Sequence, residues 1–210
     1  MSSSGRAQAK QETRDALIQA GLAAFAAEGL DAPSLDAICA RAGFTRGAFY
    51  VHFKDRDDFL VAVMEHVLGG FLDAVIATGD EANDLGHTLD RFTGALASAA
   101  RPTGGRGRAA SPLLGPVQLF RLIEAAARSP AIRGRLVAII DEAIGRVEGA
   151  ARSGQTRGTV RHDVEPRVGA QLLVVAALGL MGAIELGVPL DLPALRGAVA
   201  RLLGASEGEA

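Results

Sequence analysis

The sequence predicts an all-α protein, with an N-terminal three-helix head followed by a larger helical bundle, about nine helices in all. Three observations carry this. Apolar residues recur at helical spacing over long runs, as in Leu17, Ile18, Gly21, Leu22 and Phe25. No stretch alternates β-branched and polar residues between turn signals, as half-buried strands do. Glycine and proline fall where such runs begin and end.

Residues 1–10 are polar and read as a disordered arm ahead of a first helix over 13–28, which Gly29 ends. Pro33 and an N-cap at Ser34 introduce a short helix over 35–42, stopped by Gly43. Thr45 caps a third helix that reaches His52 or Phe53. From Asp55 a longer helix runs through Phe59, Val63, Val67 and Phe71 to about residue 78. Another fits 84–100. Residues 101–116 contain four Gly, three Pro and three Arg but no acid, and read as a flexible linker. The GGRGR run inside it has the composition of an RNA-binding arginine–glycine segment, in a single copy. Helices over 117–128, 131–153, 166–186 and 192–203 follow, with Pro130, Pro166, Pro189 and Pro193 at the joints. The head is thus expected over 11–56 and the bundle over 57–205.

Composition narrows the function. A formal charge of −2, from 20 Arg and 2 Lys against 24 acids, is not that of a non-specific nucleic-acid coat. It leaves room for a local basic face. The single cysteine, Cys39, makes no intrachain disulfide and reads as a small packing residue. The N-terminal residues lack the apolar run of a secretory signal. The apolar stretch 168–184 is short for a membrane span and reads as a helix buried in protein, so the expectation is a soluble cytoplasmic protein with no membrane partner. Four histidines, at 52, 66, 87 and 162, show no metal-ligand spacing. Nucleophile elbow, phosphate loop and dinucleotide fingerprint are missing too, so the expectation is no enzyme, no cofactor and no metal.

Residues 35–53, LDAICARAGFTRGAFYVHF, have the arithmetic of a helix-turn-helix. Two short helices crossing steeply need a glycine in the tight turn (Gly43) and a small side chain where they touch (Cys39). Ile38, Ala42, Phe44 and Phe49 would lock the pair onto the first helix. The run Gly43-x-x-x-Gly47-x-x-Tyr50-x-His52-Phe53, after Thr13-Arg14 and ALIQAGLAAFAAEGL, resembles the N-terminal domain of the TetR family of bacterial transcriptional repressors. The resemblance covers about residues 10–62. It implies DNA binding, with Ser34 and Thr45 at helix starts, Arg46, Gly47 and Ala48 facing bases, and Tyr50, His52, Lys54 and Arg56 facing phosphates. Pro33 and Asp55-Arg56 depart from the family's usual residues.

Residue chemistry agrees with that implication. Backbone N–H groups at Thr45 suit a phosphate. The Arg46 guanidinium matches the O6 and N7 acceptors of guanine, Gly47 allows close approach, and the Ala48 methyl suits a thymine methyl. Arg6 and Lys10 are either a phosphate-reaching arm or an inert tail.

The bundle has the build of a ligand-sensing and dimerisation domain. An effector pocket is expected among Phe71, Phe92, Leu96, Phe120, Ile123 and Met181, with Gln118, Arg121 and Glu124 for polarity. Arg121 and Glu124 are also spaced to pair with each other. With one Tyr and no Trp, an aromatic cage is poorly supplied, which favours an aliphatic, acyl or small amphipathic effector. By resemblance, Leu172, Val175, Gly179, Gly182 and Ala183, with Leu195, Val199 and Leu202, form a homodimer interface. The expected function is a dimeric repressor on a palindromic operator of double-stranded DNA, released by an unknown small-molecule effector. An activator, an effector-independent regulator, or a helical sensor or scaffold without DNA binding remain the alternatives.

Overall fold

The computed structural model describes residues 3–76, 85–99 and 117–204. Among these it is all-α, in the order α1 (Ser3–Glu28), α2 (Leu35–Ala42), α3 (Arg46–His52), α4 (Arg56–Val75), α5 (Leu85–Ala99), α6 (Leu119–Arg128), α7 (Pro130–Thr156), α8 (Pro166–Glu185) and α9 (Leu192–Leu203). The expected linker at 101–116 lies outside the described residues.

Local chemistry sets the ends of the short helices. Ser34 Oγ accepts from the Ala37 N–H at 3.1 Å and Thr45 Oγ1 from the Ala48 N–H at 3.3 Å. Gly43 closes α2 at φ 77°. Its N–H reaches Ala40 O at 3.2 Å while the Phe44 N–H reaches Cys39 O at 2.9 Å, the paired bonds of a Schellman turn. Asp55 caps α4 by accepting from the Asp58 N–H at 2.9 Å, and Asp58 accepts from the Lys54 N–H at 2.8 Å.

The first helix begins at Ser3 and not near Thr13, so residues 3–10 are helical and not a disordered arm. Ala7, Gln8, Ala9, Lys10 and Gln11 are good helix formers despite their polarity. Gln8 Nε2 donates to Glu12 at 3.0 Å and Gln11 Nε2 to Asp15 at 2.8 Å, one turn apart.

The head packs around Leu17, Ile18, Ile38, Phe49, Phe53 and Phe59, all buried. Phe53 and Phe59 meet edge-on at 4.9 Å, with Phe49 at 5.2 and 5.3 Å from them. Gly21 lets α4 come close: a Cβ there would lie 2.5 Å from Phe59 Cζ. Cys39 is buried in the same core, and burial pushes its thiol pKa up, as the packing role requires.

In the bundle α7 packs on α4, α6 and α8, and α9 lies against α5. One described helix, Pro166–Glu185, is long and apolar enough to cross a membrane. It was expected to be buried on several sides, yet Val168, Leu172 and Val175 are 58, 66 and 63% exposed. Within one copy of the chain, α8 therefore keeps an uncovered apolar stripe.

Candidate functional site

The core of the head fixes which face of α3 looks outward. Phe49 is fully buried, while Arg46, Gly47 and Tyr50 are exposed, with Ala48 half-buried beside them. Thr45 and Ser34 are exposed at the two helix starts; each hydroxyl accepts as a cap and keeps its own O–H free to donate. Arg46 leans on Asp36 of α2, with Nε 3.4 Å from Oδ1. The hydrogen bond with Tyr50 and then Asp36 raise the pKa of this guanidinium, which stays charged. Both partners are well solvated, so the pair is easily exchanged for another acceptor.

Gly47 has a plain helical backbone, and a Cβ there would meet only Thr45 Oγ1 at 3.6 Å. Nothing inside the protein requires glycine at this position. His52 is half-buried at the far end of α3. Its pKa is lowered by burial first, then by the charges of Lys10 and Arg14.

The structure places one expected phosphate contact elsewhere. Arg56 donates Nη1 to Pro33 O and Nη2 to Leu30 O, each at 2.7 Å. Its fork holds the α1–α2 loop against α4 by capturing two carbonyls that would otherwise lack partners. Pro33 is itself fully buried, so the two departures noted in the sequence belong to one clamp. Lys54 stays exposed next to it.

Sequence reasoning undervalued α1. Arg6, Lys10 and Arg14 lie one turn apart on a continuous helix. Arg14 covers the Phe53 ring at 5.4 Å and Lys10 is close enough to act on His52. The α1 basic residues thus extend the α3 surface. Their four-residue spacing is visible in the sequence, and helix over residues 3–10 puts all three on one face.

The bundle holds a cavity of about 150 Å³ between α4, α5, α7, α8 and α9, with Leu119 at the start of α6 also on its wall. Phe71, Phe92 and Met181 line it, as expected. Leu96 is fully buried but packs elsewhere. Gln118, Phe120, Arg121, Ile123 and Glu124 do not line it either. In α6 the inward face is Leu119, Leu122, Ala125 and Ala126, which turns Phe120 and Ile123 out to 45 and 49% exposure. Arg121, Glu124 and Arg128 form a surface ladder, Arg121 Nη1 to Glu124 at 3.0 Å and Arg128 Nη1 to Glu124 at 3.4 Å. Among the described residues, the polar groups on the lining are Thr88, Thr93 and Arg196.

Among the expected interface residues, Leu172, Val175, Gly179 and Leu202 are exposed and Ala183 is half-buried. Gly182 is instead buried inside the chain, where a Cβ would lie 3.3 Å from Phe120 Cζ. Leu195 and Val199 face the cavity, because α9 closes that cavity by packing on α5.

Among the described residues, side-chain contacts tie the α6–α7 corner to the α1–α2 loop and to the start of α4. Arg128 Nη2 spans both Asp31 oxygens at 2.9 and 3.0 Å, and the buried Ser129 hydroxyl donates to Asp57 Oδ2 at 2.6 Å.

A helix-turn-helix head with an outward donor-bearing face, carried on a cavity-containing helical bundle, defines a two-domain, all-α helix-turn-helix protein. The family profile for bacterial regulatory proteins of the tetR family matches residues 17–63. HTH-type transcriptional regulator AcrR of Shigella flexneri is 41% identical over 58 residues, 28% of this chain and 27% of that one. SrpR of Pseudomonas putida is 44% identical over 54 residues, 26% and 25% of the two chains. These matches span about a quarter of the curated relatives' length. SmeT, the repressor of the Stenotrophomonas maltophilia efflux pump SmeDEF, aligns over 95% of this chain and 93% of its own, with TM-score 0.67 and 26% identity. Reduced NemR of E. coli shares the fold at TM-score 0.71 and 19% identity, over 94% of this chain and 100% of its own. Residues 17–63 thus carry the N-terminal domain of the tetR family of bacterial regulatory proteins, and the whole chain has the fold of SmeT.

Proposed function

We propose that this protein is a transcriptional repressor that binds a palindromic DNA operator as a homodimer and leaves it when a small-molecule effector enters the cavity. The observation that carries DNA binding is the outward face of α3. Arg46, Gly47 and Tyr50 stand free of the core, and Gly47 has no internal reason to be glycine. Such a face suits the major groove, where Arg46 would read guanine while Ser34, Thr45, Tyr50, His52 and Lys54 position the head on phosphates.

Two copies are needed because one such head reads only a few base pairs. The exposed stripe of α8, together with Leu202, is the surface on which a second copy fits. Effector control rests on the cavity and on α4, which reaches from the Phe59 core of the head to Leu68, Phe71, Leu72 and Val75 on the cavity wall. A ligand that prefers one setting of α4 changes the separation of the heads and so the population able to bind. SmeT, a repressor, has also been solved as a complex with triclosan, which supports the same arrangement here.

The test is selection of random duplexes by the purified protein, followed by footprinting. An enriched palindrome is expected, and Arg46→Ala with Tyr50→Ala should abolish its selection at fixed salt. Enrichment of a single asymmetric site would contradict the dimer, and no enrichment at all would contradict DNA binding.

A further inference from the structure

The cavity wall is apolar almost throughout, and its chemistry sorts the molecules it can hold. Among the described residues no acidic side chain lines it, so a buried cation would meet no described counter-charge. Phe71 and Phe92 meet edge-on with centroids 6.4 Å apart, and the chain has no Trp and a single Tyr, Tyr50, which sits in the head. That is not a cage for an ammonium group. A molecule rich in hydroxyl or amide groups would be poorly served as well. Thr93 Oγ1 already donates to Leu89 O at 2.7 Å, and among the described residues only Thr88 adds a second hydroxyl.

The remaining polar group among the described wall residues is Arg196 of α9. Its side chain is 44% exposed, so the cavity reaches solvent there, and its guanidinium is paired with the Asp90 carboxylate of α5, 53% exposed. Asp90 in turn has its carboxyl pKa lowered, chiefly by the hydrogen bond from Arg196. The mouth thus already holds a carboxylate on a solvated guanidinium, beside an apolar chamber. An apolar cavity of this volume accommodates roughly a benzene ring, and an alkyl tail can extend from it to the mouth.

We infer that the effector is an amphiphilic carboxylate, with its apolar tail in the cavity and its head group on Arg196, which releases Asp90 to hold it. The exchange replaces one carboxylate by another, so no charge is left unpaired in a dry site. It also removes a side-chain tie between α5 and α9. This inference rests on reading the cavity as the effector site.

Octanoate, 1-octanol and octylammonium share one tail and differ in head charge, and their binding to the full chain can be measured by calorimetry. Octanoate is expected to bind most tightly and octylammonium least. Arg196→Leu, which keeps an apolar stem, should weaken octanoate about tenfold while leaving 1-octanol nearly unchanged. Asp90→Asn should tighten octanoate, because Arg196 loses its competing partner. The inference is overturned if none of the three binds, or if octylammonium binds as well as octanoate. It is also overturned if Arg196→Leu alters all of them equally or none. Octanoate that binds through Arg196 yet leaves operator affinity unchanged would support the ligand class and sink the effector role of the cavity.

Discussion

At Gly47 an added methyl group would meet only Thr45 Oγ1, at ordinary van der Waals distance. Glycine within a helix is less stable than alanine by up to about 0.5–1 kcal/mol. Gly47→Ala is therefore expected to leave the fold as stable or slightly more so in a thermal melt, and to weaken operator binding in a titration. Unchanged binding would remove Gly47 from the site of close approach. His52 gives a prediction in pH. In the free protein, burial and then Lys10 and Arg14 hold its pKa below the ordinary histidine value. A phosphate placed against it acts in the opposite direction and raises it. The pKa in the complex is then higher than in the free protein, so binding takes up a proton and affinity increases as pH falls from about 7 to 6. His52→Gln should flatten that dependence. A slope of opposite sign in the wild type would place the imidazole away from phosphate.

Helices with their own caps were the legible elements. Ser34, Gly43 and Thr45 fix α2 and α3 through contacts three to five residues apart, so the sequence locates the recognition helix and its outward face. Rotation about a helix axis is harder to read. In α6 apolar residues occupy both 119, 122, 125 and 126 and the neighbouring 120 and 123, and either set can face inward. The choice is made from far away: the Glu185 carboxylate accepts from the Leu119 N–H at 2.7 Å and the Phe120 N–H at 3.4 Å. Arg196 in the cavity wall and Arg56 in the loop clamp were illegible for the same reason, since both roles depend on partners distant in the chain. In α1, polarity in residues 3–10 masked a sound helix. Its basic spacing carries the prediction at this scale. Arg6→Ala with Lys10→Ala should weaken binding to all duplexes alike and lower the salt slope of log affinity by about 1–2. The preferred sequence should not change. A slope equal to that of the wild type would show that these side chains point past the DNA.

In the whole molecule, head and bundle move together if their ties hold. Arg128 on Asp31 and Ser129 on Asp57 fasten the α6–α7 corner to the head, and α4 runs through both parts. The position of each recognition helix is then set by how two bundles meet. Reading adjacent half-sites needs those helices about 34–36 Å apart, one turn of duplex. The exposed stripe Val168, Leu172, Val175 and Gly179 spans most of α8 with spacings of four, three and four residues. A heptad-like seam of this kind matches a copy of itself across a two-fold axis. Leu172→Asp with Val175→Asp places two charges on that seam without entering the core, because both positions are exposed in the single chain. The variant is expected to sediment as a folded monomer with undiminished helicity. Operator affinity should fall by at least about 10²-fold, because the second head no longer binds from within the same molecule. A variant that remains dimeric would move the interface off α8. A monomer that binds the operator as tightly as the wild type would mean that each head acts alone, and control of head separation by an effector would then have no means of acting.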